Sequence, residues 1–461
     1  MQKKARLTSG NVSKQLLNLY IPMIAGMLGM ITFNLIDTFF IGQLGSEQLA
    51  AMSFTFPVVL VIHSIAAGVA LGSSAIISKL VGEEDHCQIS RLSTASLILG
   101  FIVNILLAAI GLITIKPLFS LMGAKGITLV YIKEYMTIWY LGMIMLVIPQ
   151  IGNNIIRALG DTKVPSLIMA VAAITNAILD PLLIFGIGPF PDLGIQGAAI
   201  ATVISRTLTF IVALYVLKYR EQLITFDKIS FSKLIESWKK ILYIGVPNAL
   251  VQMSLPIGAG IITRLLSTYG TEAVASFGVA TKIESFALSF TGALAIAIGP
   301  FIGQNLGAKK FNRAAKSYKT VEMFSIIIGI VLALVLGIFS KPIAAIFNDD
   351  SNVINTITLY IRIVPIAYAF QGILRIGSTV LNVLNKPFHS STLIVIQIFI
   401  LYVPLATLGS KLFGLTGIFG ALSLSYLISG TIAHFETKRQ LKIYMNNLQE
   451  KDGLYTMNSF L

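Results

Sequence analysis

Apolar runs recur along the whole 461-residue chain, each long enough to cross a bilayer as a helix. About 20 consecutive apolar residues span the hydrocarbon core. The runs lie at approximately 16–44, 50–80, 93–121, 129–156, 163–187 and 194–218, then 241–269, 272–305, 317–345, 354–383, 387–409 and 416–436. They are too long and unbroken for a transmembrane β-barrel, whose strands alternate over about ten residues. The expected fold class is therefore an all-α polytopic membrane protein with about twelve transmembrane helices. Charged residues make up only 12% of the chain, about half the share usual in soluble domains.

The second half repeats the first at an offset of about 225 residues. Pro22 matches Pro247, Gly45 matches Gly270, and Glu47 matches Glu272. Ser64, Gly82, Tyr135 and Gly152 likewise match Ser289, Gly307, Tyr360 and Gly377. Six helices per copy is an even number, so both copies insert in the same direction, with a pseudo-two-fold axis along the membrane normal. The expected organisation is an N-lobe at 1–222, a cytoplasmic linker at 223–240, a C-lobe at 241–440 and a cytoplasmic tail at 441–461. The linker mixes Ile229, Phe231, Leu234, Ile235 and Trp238 with lysines, as a short surface helix or a plain solvated connector would.

The copies differ in their acids. Asp37 falls opposite Ile262, and Asp180 opposite Leu405. The expectation is that buried carboxylates gather in the first copy alone, as suits transport driven by an ion.

The net charge of +14 is no sign of nucleic-acid binding. Lysines and arginines concentrate at the N-terminus, at Lys79 with Arg91, at Arg157 with Lys163, in the linker, at 309–319 and at 438–442. Alternate loops are sparser, so both termini are expected to be cytoplasmic in a bacterial or archaeal inner membrane. The first apolar run is too long for a signal peptide and reads as a retained helix. Cys87 is the single cysteine, and no Cys/His cluster has metal-ligand spacing. No phosphate loop or nucleophile elbow occurs, so no enzymatic activity and no cofactor is expected. Nothing in the sequence speaks to oligomeric state.

Asp37 lies inside the first run. An ionised Asp near the bilayer centre costs about 2.5–3.5 kcal/mol, so it needs a polar cavity, a partner or a proton. Asp180 follows Asn176 by four residues, which puts both on one helical face. Pro181 removes a backbone donor, so a kink or opened turn is expected there. Carboxylates, an amide oxygen and a freed carbonyl suit a site for H⁺ or Na⁺, with the bland reading a pair that tolerates the kink. Tyr135 offers a hydroxyl to a carboxylate or anchors at the interface, and Thr202 offers another hydroxyl. Met23, Met27, Met30 and Phe33 suit an adaptable apolar cleft, and Gln252 a substrate contact or a core hydrogen bond. Glu284 is either a cleft residue or an acid satisfied by a nearby Lys or Arg. Gly68 with Gly72 form a small-residue stripe for close helix packing.

These residues resemble the multidrug and toxic compound extrusion (MATE) family, in its DinF-like branch, over nearly the whole chain. The resemblance rests on Pro22, Asn34-Leu-Ile-Asp37-Thr, Gly45-Ser-Glu-Gln-Leu-Ala-Ala, Arg157-Ala-Leu-Gly-Asp-Thr-Lys, Asn176-Ala-Ile-Leu-Asp180-Pro and Gly303-Gln-Asn-Leu-Gly-Ala. It implies a twelve-helix antiporter that exports small cationic, amphipathic compounds in exchange for H⁺ or Na⁺ by alternating access. It also implies that Asp37, Asn176 and Asp180 form an N-lobe cation site, with Tyr135 and Thr202 as neighbours. Some relatives carry further carboxylates in the seventh and tenth helices. Here the seventh has none and the tenth offers Arg362 and Tyr368, so a C-lobe Na⁺ site of that kind is not expected. The alternatives are a lipid-linked saccharide flippase, for which Arg264, Arg362 and Arg375 would supply cations, and a passive channel.

Overall fold

The structure, a computed structural model, describes residues 5–225 and 230–451, apart from the side chains of 34, 35 and 449–451. Every regular element among these residues is helical. In the first half they are α1 (Val12–Leu44), α2 (Ser46–Glu83), α3 (His86–Leu121), α4 (Gly126–Leu141), α5 (Met143–Ala158), α6 (Lys163–Ile184) and α7 (Gly194–Tyr215). The second half holds α8 (Phe231–Leu266), α9 (Thr271–Gly307), α10 (Phe311–Ile338), α11 (Ser340–Ala345), α12 (Ser351–Ile363), α13 (Tyr368–Val383), α14 (Pro387–Val395) and α15 (Val403–Lys451). Helix is what a bilayer demands, because it satisfies every backbone donor and acceptor within the segment.

Ten of these stretches are long and apolar enough to cross a membrane, and α4 with α5 form an eleventh, bent by 50°. The stretch Pro387–Leu448 contains a reversal at Gly414, where φ is 59° and ψ is −137°. There the backbones of Gly409 and Gly417 touch, and a Cβ on Gly409 would lie 2.5 Å from the Gly417 carbonyl oxygen. A straight helix would separate residues eight apart by about 12 Å, so this stretch is two spans, and twelve result. Large apolar side chains such as Ile113, Leu121 and Ile346 stand 80%, 88% and 78% exposed. In number they far exceed what water tolerates on one surface, and they suit lipid.

The chain divides into two compact units. One comprises Leu17–Met253 with Ala5 and Arg6; the other comprises Leu7–Leu16 with the residues from Ser254 on. In the first unit α2 packs on α3, α4 and α5, and α7 on α4, α5 and α6. In the second, α9 packs on α10, α12 and α13, and α13 on α14 and α15.

The repeat is written into the backbone as well as the sequence. Gly45 and Gly270 both have positive φ (138° and 99°) and both cap the following helix ahead of Glu47 and Glu272. Glu84 and Lys309 share the left-handed conformation (φ 59° and 56°), as do Gly160 and Asn385 (φ 87° and 60°). The α4–α5 bend at Gly142 recurs as a 3₁₀ turn, Val364–Ala367, between α12 and α13. A π-helical stretch at Ile396–Tyr402 has no counterpart within α6, its sequence equivalent.

Several expectations need correcting. The linker is not a separate surface helix: α8 starts at Phe231 and runs unbroken to Leu266. The Trp238 indole donates to the Ala95 carbonyl at 3.0 Å, which docks this segment on α3. Lys228 and Ile229 of that linker, and the tail beyond 451, lie outside the described residues. Up to Lys451 the tail continues α15, with Leu441 wholly buried. Pro181 opens no gap, because α6 runs through it and ends one turn later at Ile184. Buried acids are not confined to the first copy either, since Glu284 and Glu322 in the second are 8% and 6% exposed.

Candidate functional site

Two helices with an unusually close approach carry the acids of the first unit. A Cβ added to Gly26 of α1 would lie 3.0 Å from the Ser166 hydroxyl and 3.1 Å from its Cα on α6, so the small residues Gly26 and Ser166 let α1 and α6 approach closely. On α6, Asn176 and Asp180 are both wholly buried, and the Asn176 amide donates to Asp180 Oδ1 at 2.9 Å. Asp180 Oδ2, Asn176 Oδ1 and Asp37 Oδ1 are buried with no hydrogen-bond partner. Pro181 cannot donate to the Ala177 carbonyl, one turn before it. Native proteins rarely leave so many buried oxygens open. Oxygens without donors in a low-dielectric interior fit a bound proton or a bare cation.

Tyr135 of α4 is 4% exposed, and both carboxylates act on it electrostatically. It is an interior neighbour of the pair, not an interfacial anchor. Thr202 of α7 is also buried, on a helix that packs against α6. α6 and α7 meet closely at Gly197, where a Cβ would strike the Leu183 carbonyl at 2.2 Å. Among the described residues no group of three His, Cys, Asp or Glu side chains is placed to hold a metal.

Sequence reasoning missed a cation in the same interior. The Arg206 guanidinium of α7 lies 4.7 Å from the Phe33 ring centroid and interacts with Asp37 and His63. Among the described residues no ion pair engages it. His63 meets Trp139 edge-on at 6.2 Å. Arg206 was findable: an Arg within an apolar run is itself a functional signal.

The cleft residues divide. Phe33 is 6% exposed under Arg206, and Met23 is 1% exposed. Met27 is half-buried and Met30 is 40% exposed. Gln252 is half-buried and belongs to the first unit. Glu284 is 8% exposed, its hydrogen-bond partners are tyrosines, and Arg375 acts on it electrostatically. Tyr360 donates to its Oε2 at 2.5 Å and Tyr426 to its Oε1 at 2.9 Å. Of the arginines that favoured a flippase, Arg362 donates from Nε to the Ser340 hydroxyl at 3.0 Å.

The duplication of this architecture has a match among known proteins. The MatE family model fits residues 22–182 and fits again over 247–408, which are the two copies. The chain belongs to the MatE family. It is 39% identical over 439 residues to a FAD transporter of Shewanella oneidensis, covering 95% of this chain and 97% of that one. It is 24% identical over 424 residues to the multidrug export protein MepA of Staphylococcus saprophyticus, covering 92% and 93%. Among solved structures, the Vibrio cholerae MATE transporter VcmN in its bent form superposes with a TM-score of 0.89 at 29% identity, over 94% of this chain and 98% of that one. A MatE protein is a transporter and not an enzyme, so this chain is a multi-pass membrane transporter of small organic substrates.

Proposed function

We propose that this MatE transporter is a secondary-active exporter of the cell membrane, both termini cytoplasmic, whose coupling ion, H⁺ or Na⁺, binds at Asp37 and Asp180. The observation that carries the reading is the set of open, buried oxygens on Asp37, Asn176 and Asp180 beside Tyr135. In alternating access, ion binding there would favour substrate release outside, and ion loss inside would readmit substrate. Each inward unit charge gains about 2.3 kcal/mol per 100 mV of membrane potential.

For the substrate, the first unit's interior combines a cation with aromatic faces: Arg206 on Phe33, with His63 and Trp139 nearby. An arginine suits phosphate oxygens, and aromatic rings suit a planar heterocycle. A phosphate-bearing aromatic such as a flavin dinucleotide satisfies both, in keeping with the FAD transporter that is 39% identical over most of the chain. A second reading, export of cationic amphipathic compounds, draws on the carboxylates and on likeness to MepA.

Proteoliposomes separate the two readings. FAD and ethidium are supplied in turn under an imposed pH step, an imposed Na⁺ step or neither. Uphill movement of FAD under one step, lost in Asp37→Asn, is the expected result. Ethidium moving while FAD does not would establish the second reading. Asp37→Asn retaining ion-driven movement of both would overturn the coupling site.

A further inference from the structure

The second unit contains a buried acid enclosed by tyrosines from separate segments. Glu284 lies on α9, whose most apolar window is 83% buried, far more than the 28–39% of most other spans. Tyr360 of α12 and Tyr426 of α15 donate to its two oxygens. Tyr368, just after the 3₁₀ turn, and Tyr402, the last residue of the π-helical stretch, are buried and within electrostatic reach. The Tyr402 hydroxyl is buried without a hydrogen-bond partner. Arg375 of α13 is the cation acting on the carboxylate, and it is exposed. Departures from α-helix in this form often mark working sites.

We propose that Glu284 is a second proton-carrying site, independent of the pair in the first unit. Three observations support it. The first is symmetry: Tyr360 is the repeat partner of Tyr135, so one duplicated tyrosine attends a buried carboxylate in each unit. The second is ligand chemistry. Glu284 is 8% exposed and its two oxygens bond tyrosine hydroxyls, not a cation, and a carboxyl taken out of water is most readily held with a proton on it. The third is the spare hydroxyl. When Glu284 takes a proton, its own O–H becomes a donor and one tyrosine hydroxyl loses the oxygen it donated to. The unpartnered Tyr402 oxygen is an acceptor already in the same interior. Proton arrival would thus redistribute bonds among α9, α12, the π-helical stretch and α15.

The test is infrared titration of the purified full-length protein in detergent, following the carbonyl stretch of protonated carboxyls across about pH 5–9. Wild type, Glu284→Gln, Glu284→Asp, Tyr426→Phe and Asp37→Asn/Asp180→Asn are compared, each first checked for a monodisperse elution profile. A titrating carboxyl band that vanishes in Glu284→Gln, survives in the double variant and in Glu284→Asp, and moves in frequency in Tyr426→Phe is the expected result. No loss of band in Glu284→Gln overturns the proposal, as does a band lost only in the double variant. Should Glu284→Gln elute as aggregate, Tyr426→Phe decides: an unmoved band overturns the assignment.

Discussion

Replacing Asp180 by Asn isolates charge from shape at the proposed coupling site. Asp180 Oδ1 accepts from Asn176 at 2.9 Å while Oδ2 has no partner. An asparagine in the same rotamer keeps an oxygen for the Asn176 amide and nearly the same volume. The helix should therefore stay packed while one ionisable group disappears. If that group carries one coupling charge inward, its loss removes about 2.3 kcal/mol of drive at 100 mV. This corresponds to roughly a 50-fold smaller limiting substrate gradient. The assay is proteoliposomes held at a potassium diffusion potential, with the FAD ratio across the membrane read at steady state. Asn176→Ala is the companion: it deletes the hydrogen bond but not the charge, so at saturating ion its limiting gradient should match wild type. A gradient in Asp180→Asn equal to that of wild type, at equal reconstituted protein, would refute the reasoning.

Arg206→Ala should lower the apparent affinity for FAD by about 10- to 100-fold, the worth of a hydrogen bond to a charged group, while ethidium binding changes little; tryptophan-fluorescence titration would show it. Gly72→Ala should cost about 1–3 kcal/mol, because its Cβ would lie 2.3 Å from the Ile241 backbone oxygen across the α2–α8 seam. Gly42→Ala, with nothing within 4 Å, should leave the melting temperature unchanged or raised. Asp85 caps α3 in the loop after α2, and the Gln88 backbone N–H it accepts holds its carboxyl below the usual range. A carboxyl depressed in the folded state stabilises above its unfolded value, and that stability fades as pH falls through the folded one. Asp85→Ala should accordingly lower stability by about 1 kcal/mol near neutrality and converge with wild type in acid, as thermal melts at several pH values would show.

The spans were legible because a bilayer forces a length and an apolarity on each, and the reversal glycines 45 and 270 showed as repeat landmarks. The left-handed turns at Glu84 and Lys309 were not, since neither residue announces a positive φ. Asp37, Asn176 and Asp180 could be found from sequence because polar groups in apolar runs stand out, and two of them share a helical face. Arg206 carries the same signal, a charge inside an apolar run. The enclosure of Glu284 was hidden for another reason: its partners lie 76 and 142 residues away in sequence, and periodicity along one helix says nothing about which helix comes beside it. The segment Leu7–Leu16 was equally opaque. It joins the second unit through bonds from Leu7 N–H to Gln304 at 3.1 Å and from Arg313 to the Leu7 and Ser9 carbonyls.

The turn at Gly414 bears on how the protein is made. Without it, Pro387–Leu448 would form one rod of 62 residues, about 90 Å long against a hydrocarbon core of about 30 Å. The two arms are joined by a reversal so tight that neither has a polar loop of its own to be exported first. They must enter the bilayer together, as a hairpin. Whether the number of crossings is even or odd, and so on which side the end of α15 emerges, is decided at this one backbone position. A substitution there would alter topology before it altered stability, and its signature would be α15 protease sites appearing on the opposite face of sealed membranes.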